Sequence, residues 1–182
     1  MKMNLDGFVG RIDLGQNATV KINDATYTLI KTASELSALI TDDRNVRAVL
    51  INDIDLTSFG VWTPIGGSNS TQFMGYFEGL GHVVKNMSVT ESRGNGLGLF
   101  SRISGALNPV VPAVVSNLGV TGKIDASRPA AGDFIGGLAG SVGSGTRPVI
   151  IRNVFADVDI KFNGGSATNT TGTTVARAGG LI

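Results

Sequence analysis

The stretch Val83-Val84-Lys85-Asn86-Met87-Ser88-Val89 returns as Val114-Val115-Ser116-Asn117-Leu118-Gly119-Val120, and in looser form as Ile150-Ile151-Arg152-Asn153-Val154-Phe155-Ala156. A second pattern, Gly96-Leu97-Gly98-Leu99-Phe100-Ser101-Arg102-Ile103, is echoed by Ile135-Gly136-Gly137-Leu138-Ala139-Gly140-Ser141-Val142, and Ala178 to Ile182 begins a third copy. The two patterns alternate along the chain. All are short apolar runs bounded by Gly, Asn and Ser, which favours strands over helices. After Phe155, from Ala156 to Ile160, apolar and polar residues alternate, as in a half-buried strand. Short strands joined by variable glycine-rich loops predict a β-solenoid, in which no rung buries its apolar face alone and each stacks on the next.

In such a stack the repeated asparagine has a structural task. Equivalent amides of in-register rungs hydrogen-bond along the stack, and Asn tolerates the left-handed backbone of a tight corner. We therefore expect Asn86, Asn117 and Asn153 to form a ladder. Gly136-Gly137 and Gly179-Gly180 suit close approach between rungs or positive φ. They do not form a phosphate loop, because neither a GxGxxG spacing nor a Gly-Lys-Ser/Thr ending is present.

The first part of the chain reads differently. Ala18 to Ile30 predicts a hairpin turning near Asn23-Asp24. Thr32-Ala33-Ser34-Glu35 matches a capping box and predicts one short helix near residues 33–41, placed to cover an open end of the core. Residues 46–52 return to strand. We divide the chain into an N-terminal hairpin and capping helix (1–45) and a repeat region (46–182). That region stops inside a repeat, so the sequence reads as a segment truncated at its C-terminal end.

Composition narrows the function. Among 182 residues 42% are hydrophobic and 16% charged, too apolar for a disordered chain. The 26 glycines follow no collagen period. A net charge of +1 argues against a nucleic-acid binder working through a basic field. With no cysteine there is no disulfide framework, thiolate metal site or Cys nucleophile. No apolar run is long enough to span a membrane, and residues 1–15 lack the core and cleavage site of a signal peptide.

The search for chemistry finds little. The single histidine, His82, lies between glycines and strands and is expected to shape a corner or bond to backbone. Asp53/Asp55 and Asp157/Asp159 are carboxylate pairs at strand spacing, suited to a wet outer face and, as the rival reading, to Ca²⁺. We expect no catalytic residue, no metal and no cofactor. Long polar loops on a solenoid are the usual place of recognition. The run 163–174 supplies Asn163, Ser166, Thr168, Asn169 and Thr171, and the stretch 66–72 supplies Ser68 and Asn69. Trp62 stands beside the second loop, yet Pro64 and Ile65 favour packing in the core over contact with a sugar. Of the four glycosylation sequons, the one at Asn169 is the most accessible, whereas Asn86 would be shut inside the ladder.

Several segments, taken in order, resemble a known family. They are Tyr27-Thr28-Leu29-Ile30 with the capped helix, Leu50-Ile51-Asn52-Asp53-Ile54-Asp55-Leu56, Trp62-Thr63-Pro64-Ile65-Gly66, Phe73 to Val89, and Gly98-Leu99-Phe100. Over residues 20–182 these are similar to the glycine-rich GLUG repeats of filamentous-haemagglutinin-like bacterial surface adhesins, exported by two-partner secretion. Similar repeats flank the peptidase domains of some secreted bacterial metallopeptidases. The chain departs from the pattern at Glu78-Gly79-Leu80-Gly81-His82, where the family often has Asp-Gly-x-Gly-His. The loop Ala106–Ala113, with Pro109 and Pro112, is an insertion.

The resemblance implies an all-β chain folded as a right-handed parallel β-helix, secreted or on the bacterial cell surface, its parent served by an outer-membrane secretion partner. The expected function is non-catalytic: a rigid monomeric shaft displaying loops to host or neighbouring-cell glycans or matrix proteins, with neither nucleic-acid binding nor membrane insertion. The alternatives are an accessory domain of a secreted metallopeptidase and a polysaccharide-lyase-like enzyme.

Overall fold

The computed structural model describes residues 3–4, 7–8, 10–39, 45–67, 71–90, 96–126, 134–143, 146–162 and 177–182. The chain is mostly β. We label its main elements β1 (Val20–Ile22), β2 (Ala25–Ile30), α1 (Ala33–Ala38), β3 (Arg47–Leu50), β4 (Ile54–Asp55), β5 (Tyr76–Glu78) and β6 (Val83–Val89). The series continues with β7 (Gly96–Leu97), β8 (Phe100–Ile103), β9 (Ala113–Ala126), β10 (Phe134–Ile135), β11 (Ala139–Val142), β12 (Val149–Phe162) and β13 (Arg177–Ala178).

The hairpin is present. β1 pairs antiparallel with β2, and Asn23 (φ 50°) and Asp24 (φ 62°) take the two left-handed positions of a tight turn. From β2 onward the large sheet is parallel. β2 pairs with β3, β3 with β5, β5 with β9 and β9 with β12. The parallel sheet thus begins inside the hairpin, on the N-terminal side of residue 45. A second ladder runs from β4 through β6 to the later half of β9. Two further parallel ladders join β8 to β11 and β7 to β10 to β13. Isolated parallel bridges tie Ile65 to Phe100 and Phe73 to Ile103. The inserted loop folds as a small antiparallel pair, Ala106–Leu107 with Val110–Val111.

Period-two alternation fills the interior. Ala48, Phe77 and Val115 point inward from neighbouring strands and are almost fully buried, with Ile151 packed against them. Phe100 stacks against Phe73 (5.0 Å between ring centroids) and meets Phe77 edge-on (5.6 Å). Trp62 is 1% exposed and donates its indole N–H to the Leu99 carbonyl at 3.1 Å. It is a core anchor, and no ligand reaches its ring.

Helix α1 is shorter than expected, Ala33–Ala38 against residues 33–41, with residues 40–44 outside the described set. Its capping box is complete: the Thr32 hydroxyl accepts from the Glu35 N–H (3.1 Å) and the Glu35 carboxylate accepts from the Thr32 N–H (3.0 Å). Leu36 and Leu39 join the core beside Ile30, Ala48 and Leu50. None of the helices among the described residues is long and apolar enough to cross a membrane.

The motif copies divide into two groups. The second and third lie in exact register, Val114 on Ile150 through Val120 on Ala156. The first does not stack motif on motif: Val83 faces Gly119 and Met87 faces Gly122, with a bulge between. The layer before β9 is split into β5 and β6, and its corner is turned by Leu80 (φ 51°) and Gly81 (φ 86°). Sequence similarity alone pairs Asn86 with Asn117; the chain instead uses Leu80-Gly81 at that corner.

Candidate binding pocket

Asn117 (φ 53°) and Asn153 (φ 50°) are both left-handed, and Asn153 Nδ2 donates to Asn117 Oδ1 at 3.1 Å. The Asn117 amide in turn donates to Glu78 Oε1 at 2.8 Å. Asn86 is not part of this run. It is left-handed (φ 57°), exposed, and donates to Asp55 Oδ1 at 3.0 Å, because the Leu80-Gly81 corner already takes the place opposite Asn117 and β6 runs on along the second half of β9. The expected inaccessibility of Asn86 is corrected accordingly. Because the left-handed backbone is required at residue 153, Asn153→Ala should cost about 1–2 kcal/mol more than Asn153→Gly, measured as the difference between their urea midpoints at equal m.

The loop positions Asn163, Ser166, Thr168, Asn169, Thr171, Ser68 and Asn69 lie outside the described residues.

His82 is fully buried. Its Nε2 lies 3.0 Å from the Ile12 carbonyl oxygen, which only accepts, so this nitrogen carries the proton and pins residues 10–14 across the corner. The Ile12 N–H donates back to Leu80 O at 2.9 Å. Among the described residues Nδ1 has no hydrogen-bond partner, and it sits 3.4 Å from Asp53 Oδ1.

The aspartate pairs separate. Asp53 accepts from Lys85 Nζ (2.6 Å) and the Val83 N–H (3.0 Å), with Arg11 at 3.5 Å. Burial pushes its carboxyl pKa up, but the Lys85 and Val83 hydrogen bonds and the Lys85 and Arg11 charges outweigh this and hold it below the usual value. Asp55 accepts from the Thr57 hydroxyl, the Asn86 amide and the Thr57 N–H, which lower its pKa to about 2. Asp157 and Asp159 are exposed on β12. Among the described residues no three His, Asp or Glu side chains converge on a point that could hold a metal.

The Asp55 geometry sets a pH dependence. Its folded pKa lies below the unfolded value of 3.8, so the stabilisation is fully present above that value and is lost as pH falls through about 2. A carboxyl-carbon NMR titration should place the Asp55 midpoint near 2, and Asn86→Ala should move it upward.

A partly enclosed concave feature lies on the outer face of the β3–β5–β9–β12 sheet. Register aligns Arg47, Tyr76, Val114 and Ile150 in one outward row, and Val49, Glu78, Ser116 and Arg152 in the next. The N-terminal hairpin folds over the first strands, and Tyr27, Val49 and Ile51 form a second small core with Leu14, Val20 and Ile22. Where that cover ends, a cavity of about 130 Å³ remains above Glu78. Its walls include Tyr27, Tyr76 and Ile150, its floor is Glu78 and Ser116, and Asn23 and Arg152 stand at its rim.

Glu78 is only 8% exposed. Its Oε1 accepts from the Leu80 N–H (2.8 Å) and the Asn117 amide (2.8 Å), and its Oε2 from the Ser116 hydroxyl (2.7 Å). Arg47 lies over the Tyr76 ring, 5.1 Å from its centroid. Burial is the main reason the Tyr27 phenol is pushed above its usual pKa; Glu78 adds to the rise, and Arg47 opposes it.

Sequence reasoning missed this pocket. The residues that build it lie far apart in the chain, and only the parallel register brings them together. The one available signal was Glu78 in the family-like Glu78-Gly79-Leu80-Gly81-His82 segment, two residues after an aromatic. A second, open groove lies beside β6, lined by Val61, Asn86, Ser88, Lys123 and Asp159. Comparison with protein-family models, with curated proteins and with solved structures returned no match.

Proposed function

We propose that this chain is a non-catalytic segment of a large secreted or surface-exposed bacterial adhesin, a rigid right-handed parallel β-helical shaft of GLUG-type repeats that displays binding surfaces to glycans or matrix proteins. The observation that carries the reading is the in-register parallel stacking of β9 on β12, from Ala113 on Val149 to Ala126 on Phe162 on both sides of the corner that the Asn117–Asn153 hydrogen bond spans. Layered parallel ladders on different flanks around one apolar interior are what a solenoid requires.

The end of the stack supports the same reading. Amide donation runs one way, from Asn153 to Asn117 to Glu78, so Asn153 Oδ1 is left as the acceptor for another layer. Val149, Ile151, Val158 and Ile160 are only partly buried against the core, and among the described residues no strand pairs with the outer edge of β12. A further repeat carrying the same motif would cover that row and protect the edge. Export through an outer-membrane partner belongs to the same proposal, as does the display of the 163–174 loop.

The test is binding of the purified chain to a combined array of glycans and matrix proteins. Reproducible binding to one class supports an adhesin. If replacement of residues 163–174 by a short Gly/Ser turn abolishes it, recognition sits in that loop. Absence of binding to every class contradicts the adhesin reading and leaves a shaft alone.

A further inference from the structure

We propose that the pocket above Glu78 binds a single uncharged sugar ring, the terminal or branching residue of a glycan. This rests on the adhesin reading and gives it a ligand class and a place. The starting point is the state of Glu78. A carboxylate more than nine-tenths buried on the outer face of a sheet normally has a cationic partner. Glu78 has three neutral donors, and among the described residues it forms no ion pair. Glu78 and Ser116 both line the cavity, so the acceptor capacity that these bonds leave over is available to a ligand there.

The charges around the cavity select the ligand. A buried carboxylate floor rejects anions. Arg152 at the rim and Arg47 behind Tyr76 disfavour a cation. What remains is a neutral molecule that donates hydrogen bonds inward and accepts them at the mouth, which describes a ring bearing hydroxyl groups. Vicinal hydroxyls would donate to Glu78 and Ser116. Arg152 and Asn23, both exposed at the rim, would donate from their side chains to ring or hydroxyl oxygens. Tyr27, Tyr76 and Ile150 offer apolar surface to the C–H face of the ring.

Size gives an independent limit. The cavity of about 130 Å³ is no larger than the engineered cavities of about 150 Å³ that hold one benzene ring, so it takes one edge or face of a single sugar ring, the rest of which stays outside its mouth, and no extended chain. The open groove beside β6 has polar groups but no buried charge and no aromatic wall, and it makes no comparable selection.

The experiment titrates the full chain with free galactose, mannose, glucose, fucose and N-acetylglucosamine, read by saturation-transfer NMR, alongside the array. At least one of these neutral sugars should bind. Glu78→Gln should weaken that binding by at least about tenfold through loss of a charged hydrogen-bond acceptor. Arg152→Ala, at an exposed position where folding is not at stake, should weaken it severalfold, whereas Lys123→Ala in the other groove should leave it unchanged. Sugar binding that both pocket variants leave intact overturns the pocket but not the adhesin. Binding on the array to sulfated or sialylated glycans alone, with no neutral sugar, does the same. Binding to no glycan and no matrix protein removes the adhesin reading together with its ligand.

Discussion

Gly79→Ala should destabilise the fold by at least about 3 kcal/mol, the upper end of what an added methyl group costs in a packed site. A Cβ built at this position falls 2.2 Å from the Asn117 carbonyl oxygen and 2.8 Å from Leu118 Cα. Both are backbone atoms of the next layer, so no side chain can rotate out of the way. The Gly79 N–H also donates to Ser116 O at 2.8 Å, which holds the two layers close together immediately beside Glu78. Relief would require spreading β5 from β9 and giving up hydrogen bonds along the ladder. Denaturant unfolding of the variant against the parent chain checks this. A loss under about 1 kcal/mol, or the gain of up to about 1 kcal/mol that Gly-to-Ala exchange gives at an unstrained site, would show that the layers are not so close there.

Phe100→Ala should cost about 3–5 kcal/mol, the range for deleting a buried aromatic ring. Phe100 is fully buried at the junction of two flanks: β8 carries it, Ile65 is bridged to it in parallel, and its ring meets those of Phe73 and Phe77. The walls of the resulting cavity are held by ladders on separate flanks, which limits collapse. Phe100→Leu keeps most of the volume and should cost clearly less. The measurement is the shift in denaturant midpoint for the pair, read at unchanged m.

Much of this architecture is legible in the residues, and the parts that are not have a common cause. The Asn23-Asp24 turn, the Thr32/Glu35 cap and the stacking of Val114–Val120 on Ile150–Ala156 all depend on local chemistry or on strong similarity between two segments. The placement of Asn86 depends on the corner at Leu80-Gly81, which sets Val83 opposite Gly119 and is decided by long-range register, not by composition. The same limit hid the pocket. Glu78 reads as one more polar residue before a glycine until Tyr76, Ser116, Arg152 and the hairpin tip are brought around it by rows that cross several strands.

The central claim is that neighbouring segments stack as in-register parallel layers, and the absence of native cysteine makes that directly measurable. Ser88, Lys123 and Asp159 occupy one register row across β6, β9 and β12. Cysteines introduced at 88 and 123, or at 123 and 159, should form disulfides readily under mild oxidation. A pair at 123 and 157, displaced by two positions along the strand, lies beyond comfortable bridging distance and should remain reduced. Crosslinking in both in-register pairs but not in the displaced pair is the predicted result. Equal crosslinking in all three, or none in either in-register pair, would contradict the stacked architecture on which the proposed shaft and its pocket depend.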